Sequence, residues 1–182
     1  MIDVSQSSPG LAESVKQLIR DIPDYPKPGI TFKDITPLLA DASAFARVTE
    51  EMAAPFRGVG VTHVVAIESR GFILGAPVAQ HLGVGFVPVR KKGKLPSLTR
   101  RESYDLEYGT DVLEIHADAL SGTSRVLIVD DVLATGGTAD AACRLVESLD
   151  AEVTGVSFLI SLSFLPGLSR LSTRLVRSIV TY

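Results

Sequence analysis

The stretch of sequence that decides the fold is Val126-Leu127-Ile128-Val129-Asp130-Asp131-Val132-Leu133-Ala134-Thr135-Gly136-Gly137-Thr138. Four apolar residues end in two adjacent carboxylates, and two glycines flanked by threonines follow before a helix-like segment. The start of a helix offers a phosphate unpaired N–H groups and a positive dipole end, and glycines let the backbone approach closely. Carboxylates accept hydrogen bonds from neighbouring ribose hydroxyls. The stretch therefore predicts a strand, a loop and a helix that together bind a sugar phosphate.

The composition of the whole chain is that of one globular domain. It has 182 residues, of which 46% are hydrophobic and 21% charged, with a net charge of −3, so we predict a single domain over 1–182. The acidic balance gives no general attraction to nucleic acid or to an anionic membrane, and no apolar run of about 18 residues predicts a membrane span. The single cysteine excludes an internal disulfide, and the first residues do not resemble a signal peptide. We therefore expect a cytoplasmic protein.

Patterns typical of strands and of helices alternate along the chain. We predict strands over residues 63–67, 86–89, 104–108, 112–116, 125–129, 153–160 and 175–180, with a hairpin around Gly109. We predict helices over residues 11–20, after a cap at Asp41, over 71–82 and from Thr138 onward. The proline-rich segment 21–29 is predicted to be irregular, and 91–102 is predicted to be a polar loop.

This alternation predicts an α/β fold with a mainly parallel central sheet flanked by helices. Ligands of such sheets bind beyond the carboxyl ends of the strands, where Asp130 and Asp131 are expected. The chain lacks both the Gly-x-x-x-x-Gly-Lys-Ser/Thr run and a Gly-x-Gly-x-x-Gly run after a strand, which excludes the two common nucleotide loops. An acidic strand end without function is the alternative, but adjacent carboxylates repel each other and do not serve stability.

Residues 126–138 match the motif by which type I phosphoribosyltransferases bind 5-phosphoribosyl 1-pyrophosphate (PRPP). Almost the whole chain resembles the adenine phosphoribosyltransferases of that family. The runs that carry this resemblance, in the same order, are residues 22–30, 32–39, 68–72, 89–96 and 103–109. The resemblance implies the type I phosphoribosyltransferase fold, with a small N-terminal hood over 1–33 for the base and a flexible catalytic loop over 91–108. It implies a purine salvage enzyme that converts adenine and PRPP to AMP and pyrophosphate, with Mg²⁺ as cofactor in a homodimer.

The resemblance also implies which residues bind each part of the substrates. The ribose would be held by Asp130 and Asp131, and the 5′-phosphate by Ala134, Thr135, Gly136, Gly137 and Thr138. The pyrophosphate would be held by Ser69, Arg70, Arg90, Lys91, Lys94 and Tyr108. Adenine would be held by Thr31, Phe32, Lys33 and Leu133, with Phe32 as the stacking ring. Mg²⁺ would be carried by PRPP without a direct protein ligand.

Two further features follow from the resemblance. Glu107 would be the acid/base beside adenine, and the alternative is one more surface acid like Glu102, Asp105, Asp111 and Glu114. The peptide between Glu68 and Ser69 would be cis. Tyr104 and Tyr108 would either pack or donate a hydroxyl near the pyrophosphate, and for Tyr104 we predict packing.

The chain departs from the family near its C-terminal end. Ser161 stands where relatives usually carry glutamate, and Leu168 follows Gly167 where they often carry arginine. Two alternative functions stay open. One is a transferase for another base such as guanine or xanthine. The other is a PRPP-binding regulator of transcription, although about twenty residues before the proline-rich run are too few for a helix-turn-helix unit.

Overall fold

A seven-stranded sheet forms the centre of the computed structural model, which describes residues 9–105 and 110–182. The strands are β1 Arg20–Ile22, β2 Phe32–Asp34, β3 His63–Ile67, β4 Gly85–Lys91, β5 Thr99–Asp105, β6 Thr110–His116, β7 Arg125–Leu133, β8 Glu152–Ser161 and β9 Val176–Thr181. The helices are α1 Pro9–Gln17, α2 Thr36–Ala40, α3 Ala42–Ala53, α4 Arg70–Leu82, α5 Gly137–Glu147 and α6 Gly167–Arg170, and a 3₁₀ turn, Ala54–Phe56, follows α3.

The order of strands in the large sheet is β5-β6-β4-β3-β7-β8-β9. Four neighbouring pairs are parallel: β4 with β3, β3 with β7, β7 with β8, and β8 with β9. In contrast, β6 pairs antiparallel with both β4 and β5. The prediction of an α/β fold with a mainly parallel sheet is confirmed. All four residues of 126–129 are buried, as expected for a central parallel strand that is covered on both faces.

Helices cover the two faces of the sheet and give the chain two hydrophobic clusters. Alternate residues of β7 divide between them, because successive side chains of a strand point to opposite faces. Val126 and Ile128 belong to the cluster that includes α5, and Leu127 and Val129 to the cluster that includes α1, α3 and α4. The carboxyl end of β7 is thereby held between α4 and α5, which both start at this edge.

The predicted cap of the third helix is confirmed. One carboxylate oxygen of Asp41 accepts hydrogen bonds from the backbone N–H groups of Ser43, at 3.0 Å, and Ala44, at 2.9 Å. These bonds satisfy two of the donors that a helix start leaves without a partner, and they lower the pKa of the Asp41 carboxyl. Within the described residues, no helix combines the length and the apolarity needed to cross a membrane.

Several predicted boundaries are wrong where pairing with a distant strand decides the structure. Residues 20–22 form β1 against β2 rather than irregular chain, and α1 ends earlier than predicted. The loop predicted over 91–102 is shorter, because β5 begins at Thr99 and pairs with β6 throughout. The residues of β5 before Tyr104 are polar, so their sequence shows no alternating apolar pattern. The predicted antiparallel hairpin pairing is confirmed, and its tip at 106–109 lies outside the described residues.

Candidate active site

A cavity of about 830 Å³ opens at the carboxyl edge of the parallel strands. Its polar wall contains four basic and four acidic side chains: Lys33, Arg70, Lys91, Lys94, Glu68, Asp111, Asp130 and Asp131. The remaining lining residues are Ile30, Thr31, Phe32, Ile67, Ser69, Tyr104, Leu113, Val132, Ala134, Thr138 and Leu162. The cavity thus brings residues from 30–33, 67–70, 91–94, 104–113 and Leu162 together with the stretch 126–138.

The two adjacent carboxylates lie within β7 and not beyond its end as predicted. β7 pairs with β3 only as far as Val129, but it continues against β8 as far as Leu133. The two aspartates therefore occupy the part of β7 that extends past β3. This extension, rather than the end of the strand, brings them to the cavity.

The acidic pair is fixed by one cation and one backbone group. The Nε atom of Arg70 lies 2.5 Å from Oδ2 of Asp131, whose side chain is 6% exposed. Oδ1 of Asp130 accepts a hydrogen bond of 2.9 Å from the N–H of Asp131. Burial, reinforced by the charge of Asp131, raises the pKa of the Asp130 carboxyl well above its usual range. Burial also raises the pKa of Asp131, although Arg70 acts in the opposite direction.

The raised pKa of Asp130 predicts that this side chain destabilises the ligand-free protein at neutral pH. An acid whose pKa rises on folding binds more protons in the folded state, so the free energy of unfolding falls as pH rises from about 4 through the raised pKa. The Asp130→Asn variant has no ionisable group at this position, so it does not lose stability in this way. We expect a higher thermal midpoint than wild type at pH 7.5 and a difference that shrinks toward pH 4. A gain that does not depend on pH would contradict this explanation.

The predicted phosphate loop links β7 to α5. Ala134 and Thr138, at its two ends, line the cavity. Gly136 has a φ of +80° immediately before α5 begins at Gly137, a conformation that glycine adopts without the steric cost of a side chain. Thr135 and the two glycines complete the turn, so the N-terminus of α5 lies next to the carboxylates of β7.

Gly167, in the segment where the chain departs from the family, supports this loop. A Cβ atom on Gly136 would lie 3.0 Å from the backbone of Gly167, and one on Gly167 would lie 2.4 Å from the carbonyl oxygen of Ala134. Only glycine fits at this close approach of α6 to the loop. The sequence did not assign Gly167 to the site, and the tertiary contact does.

A second helix N-terminus faces the same cavity. The peptide between Glu68 and Ser69 is cis, as the resemblance implied, and α4 begins at Arg70. A Cβ atom on Gly71 would lie 2.8 Å from Oδ1 of Asp130, so this glycine permits the start of α4 to lie against the acidic pair. Ser69 and Arg70 line the cavity together with Lys91 and Lys94.

Arg90 is not among the side chains that line the cavity, and its predicted role as a pyrophosphate ligand stays a prediction. Its Nε donates to Oε2 of Glu68 at 2.8 Å, and its Nη1 donates to the carbonyl oxygen of Lys94 at 3.1 Å. Because both partners belong to segments that line the cavity, Arg90 braces the wall.

The opposite wall is made by the segment around β2. Thr31, Phe32 and Lys33 line the cavity, and the guanidinium carbon of Arg70 lies 4.8 Å from the centre of the Phe32 ring. The Lys33 ammonium is held by Asp21, with the Nζ–Oδ1 distance at 2.7 Å, and lies 3.6 Å from the centre of the Tyr182 ring. These contacts fix the segment that was predicted to bind the base.

Leu133 does not line the cavity, which contradicts its predicted place beside adenine. Its side chain is 2% exposed and packs in the hydrophobic cluster that includes α5. Val132 lines the cavity instead, because neighbouring side chains of a strand point to opposite faces.

The comparison with known proteins agrees with this geometry. Residues 38–163 match the family model described as the phosphoribosyl transferase domain. The chain belongs to the phosphoribosyltransferase family. The match includes the carboxylate pair, the phosphate loop and the start of α4, so the cavity lies at the sugar-phosphate motif of this family.

Individual relatives of this phosphoribosyltransferase are similar over nearly their whole length. The adenine phosphoribosyltransferase of Myxococcus xanthus is 55% identical over 172 residues, which cover 94% of each chain. The crystal structure of adenine phosphoribosyltransferase from Thermoanaerobacter pseudethanolicus has a TM-score of 0.91 at 52% identity, covering 94% of this chain and 99% of that one. The Saccharomyces cerevisiae enzyme, in complex with adenine and an imino-altritol bisphosphate, has a TM-score of 0.87 at 40% identity, covering 92% and 97%.

Two residues on the wall of this phosphoribosyltransferase were missed as site residues. Asp111 was considered only as a surface acid, and for Tyr104 packing was preferred to a hydroxyl role near the pyrophosphate, yet both line the cavity. They are opposite each other in the β5–β6 register, and the Tyr104 hydroxyl donates to Asp111 Oδ2 at 3.4 Å. The predicted acid/base Glu107 and the predicted ligand Tyr108 lie outside the described residues, so their roles stay predictions.

Proposed function

We propose that this phosphoribosyltransferase transfers the phosphoribosyl group of PRPP to adenine, releasing pyrophosphate and forming AMP in purine salvage. The observation that carries the proposal is the cavity itself. It brings the carboxylate pair of β7, the start of α5 and the Phe32 segment to one place. A basic wall, formed by Arg70, Lys91 and Lys94, lies in the same cavity. The names of the relatives, at 55% and 52% identity over most of the chain, support adenine as the base.

The activated sugar is bound from two sides. Asp130 and Asp131 accept hydrogen bonds from the ribose hydroxyls, and Thr135 to Thr138 surround the 5′-phosphate with N–H groups and hydroxyls. A ribose hydroxyl that donates to the buried Asp130 would also stabilise its ionised form, which the empty site disfavours. Binding of the sugar therefore compensates a cost that is built into the ligand-free site.

The pyrophosphate leaves the ribose carbon with a large negative charge as an oxocarbenium-like state develops. Ser69 and Arg70 at the start of α4, together with Lys91 and Lys94, place N–H groups and positive charge on that side of the cavity, where they stabilise the leaving group. Arg90 acts indirectly, because it holds Glu68 and the backbone of Lys94 in position.

We propose that Mg²⁺ enters with PRPP. Within the described residues, no group of three or more His, Cys, Asp or Glu side chains is placed to hold a metal ion. The nearest fit is the pair of oxygen donors Asp130 and Asp131, one of which already pairs with Arg70. Substrate oxygens would supply the other ligands, and the bound ion would neutralise charge on the leaving pyrophosphate.

Adenine is placed against Phe32, with backbone groups of Thr31 and Lys33 available to its Watson–Crick edge. Val132, from β7, takes the position on the cavity wall that was predicted for Leu133. Glu107 is proposed to accept the proton that the base loses as the new bond forms.

Assembly and location are further proposals. Ile73 of α4 and Phe86 of β4 are 43% and 38% exposed, and Phe86 packs edge-to-face against Phe72, the neighbour of Ile73, at 6.0 Å. Exposed apolar side chains on neighbouring elements support a surface that a second copy covers in a homodimer. The net charge of −3 supports a protein that binds neither nucleic acid nor an anionic membrane, and the cytoplasmic location stays a prediction.

The identity of the purine substrate is tested by comparing adenine, hypoxanthine, guanine and xanthine as acceptors in the presence of PRPP and Mg²⁺. We expect turnover with adenine at a kcat/KM at least 10²-fold above the oxopurines, because a site that matches an amino group leaves polar groups unpaired against a carbonyl. Formation of AMP is followed by chromatography, and reactions without PRPP serve as the control. Turnover only with an oxopurine would establish the alternative base, and DNA binding without turnover would establish the regulator.

A further inference from the structure

Asp111 places a negative charge on the wall that is proposed to bind pyrophosphate. Its Oδ2 lies 3.1 Å from the Nζ of Lys91, and both side chains line the cavity. The proposed mechanism gives this carboxylate no function, because ribose binding is assigned to Asp130 and Asp131. A carboxylate beside a site for a polyanion repels the ligand, so its position needs an explanation.

The carboxylate of Asp111 is oriented by three groups. Oδ1 accepts a hydrogen bond of 2.8 Å from the N–H of Val112, while Oδ2 faces Lys91 and the hydroxyl of Tyr104. Burial raises the pKa of Asp111, but these partners outweigh it, and the pKa is lowered overall. The Asp111 side chain is 24% exposed and that of Lys91 56% exposed, so the lysine is the more accessible member of the pair.

Lys91 pairs with Asp111 in the way that Arg70 pairs with Asp131 and Arg90 with Glu68. Lys91 lines the cavity on the wall that is proposed to bind pyrophosphate, and its side chain is the most exposed of these three cations. Pyrophosphate oxygens that bind Lys91 would therefore replace Asp111 as its partner.

We propose that Asp111 is a positioning residue that pairs with Lys91 while the pyrophosphate site is empty and gives Lys91 up to bound pyrophosphate. This inference depends on the proposed function of the basic wall. Asp111 keeps the Lys91 ammonium at the wall, ready for the ligand. It also lowers the affinity for pyrophosphate, since each binding event breaks the pair and each release re-forms it.

The test is the affinity of the purified protein for inorganic pyrophosphate with Mg²⁺, measured by calorimetry. Asp111→Asn keeps the size of the side chain and removes its charge, and we expect pyrophosphate to bind about 2- to 5-fold more tightly, the upper part of the range for one exposed charge pair. Asp111→Ser is a second variant with the same expectation. Asp111→Glu retains the charge and should stay within about 2-fold of wild type.

Two controls separate pairing from general electrostatics. Asp118→Asn removes an exposed acid of the same region and should leave the affinity unchanged. In a Lys91→Gln background, Asp111→Asn should have a clearly smaller effect than in wild type, since the partner is gone. Equal effects in both backgrounds would show simple repulsion and overturn the pairing.

The outcomes distinguish the inference from the proposed function. Weaker binding by Asp111→Asn would mean that the carboxylate holds the ligand or its Mg²⁺, and unchanged binding would mean that the pair is structural only. Either result overturns the inference and leaves the proposed function intact. A wild-type protein that binds no pyrophosphate would instead contradict the assignment of the basic wall.

Discussion

A variant in which Asp130 and Asp131 are both asparagine is expected to bind PRPP about 10²- to 10⁴-fold more weakly than wild type. Each ionised carboxylate accepts a charge-assisted hydrogen bond from a ribose hydroxyl, worth about 1.5–3 kcal/mol, and the variant loses two. Arg70 also loses its ion-pair partner at 2.5 Å, so the guanidinium that faces the pyrophosphate is no longer held in place. The measurements are the Kd of PRPP by calorimetry and its KM in the forward reaction.

The matched control replaces two exposed aspartates, Asp118 and Asp150, by asparagine. It changes the net charge by the same amount as the double variant and should leave PRPP affinity within about 2-fold of wild type. The double active-site variant should remain folded, since removal of two adjacent carboxylates also removes their repulsion. A folded double variant with unchanged affinity would mean that the sugar is held elsewhere.

Replacement of Glu107 by glutamine is expected to lower kcat by about 10²- to 10⁴-fold while the KM values for adenine and PRPP change little. Glutamine keeps the shape and a hydrogen-bonding oxygen but cannot take the proton that adenine loses as the glycosidic bond forms. Such a loss, confined to kcat, is the signature of a group that acts in the transition state. Steady-state kinetics with both substrates varied measures the two parameters separately.

Glu102→Gln is the matched control for this prediction. Glu102 precedes Glu107 by five positions in the sequence. It pairs with Arg144 at 2.6 Å and does not line the cavity. Its replacement should affect stability slightly and kcat by less than about 2-fold. Turnover of Glu107→Gln close to that of wild type would remove Glu107 from the mechanism and leave the proton to solvent or to another group.

Much of the fold was predictable because it depends on patterns that are local in the chain. The strand β3 lies over the residues predicted for it, and Asp41 caps α3 as predicted. Residues 126–129 are all apolar because the strand is buried on both faces. In contrast, β1 and the first half of β5 depend on partner strands far away in the chain. Their own residues are mostly polar, so no local pattern indicated them.

The candidate site likewise contains residues that local motifs predicted and residues whose position depends on distant parts of the chain. The carboxylate pair, the phosphate loop and the Ser69–Arg70 turn were predicted as motifs, and the structure brings their residues to one cavity. Arg90 and Leu133 are adjacent in sequence to residues that line the cavity, but their own side chains do not reach it. Which of two neighbours in a strand faces a ligand depends on register and on the other layers of the fold.

The sequence by itself determined the activated sugar and the alternation of strands and helices in the large sheet, because apolar runs, a carboxylate pair after one of them and a glycine loop before a helix are short-range features. Only the tertiary structure decided that Val132 faces the cavity in place of Leu133, that Arg90 braces the wall, and that Gly167 supports the phosphate loop. It alone placed Asp111 beside Lys91. Some of these contacts join residues at least twenty positions apart in the chain, and others depend on which face of a strand is covered. A local sequence pattern contains neither kind of information.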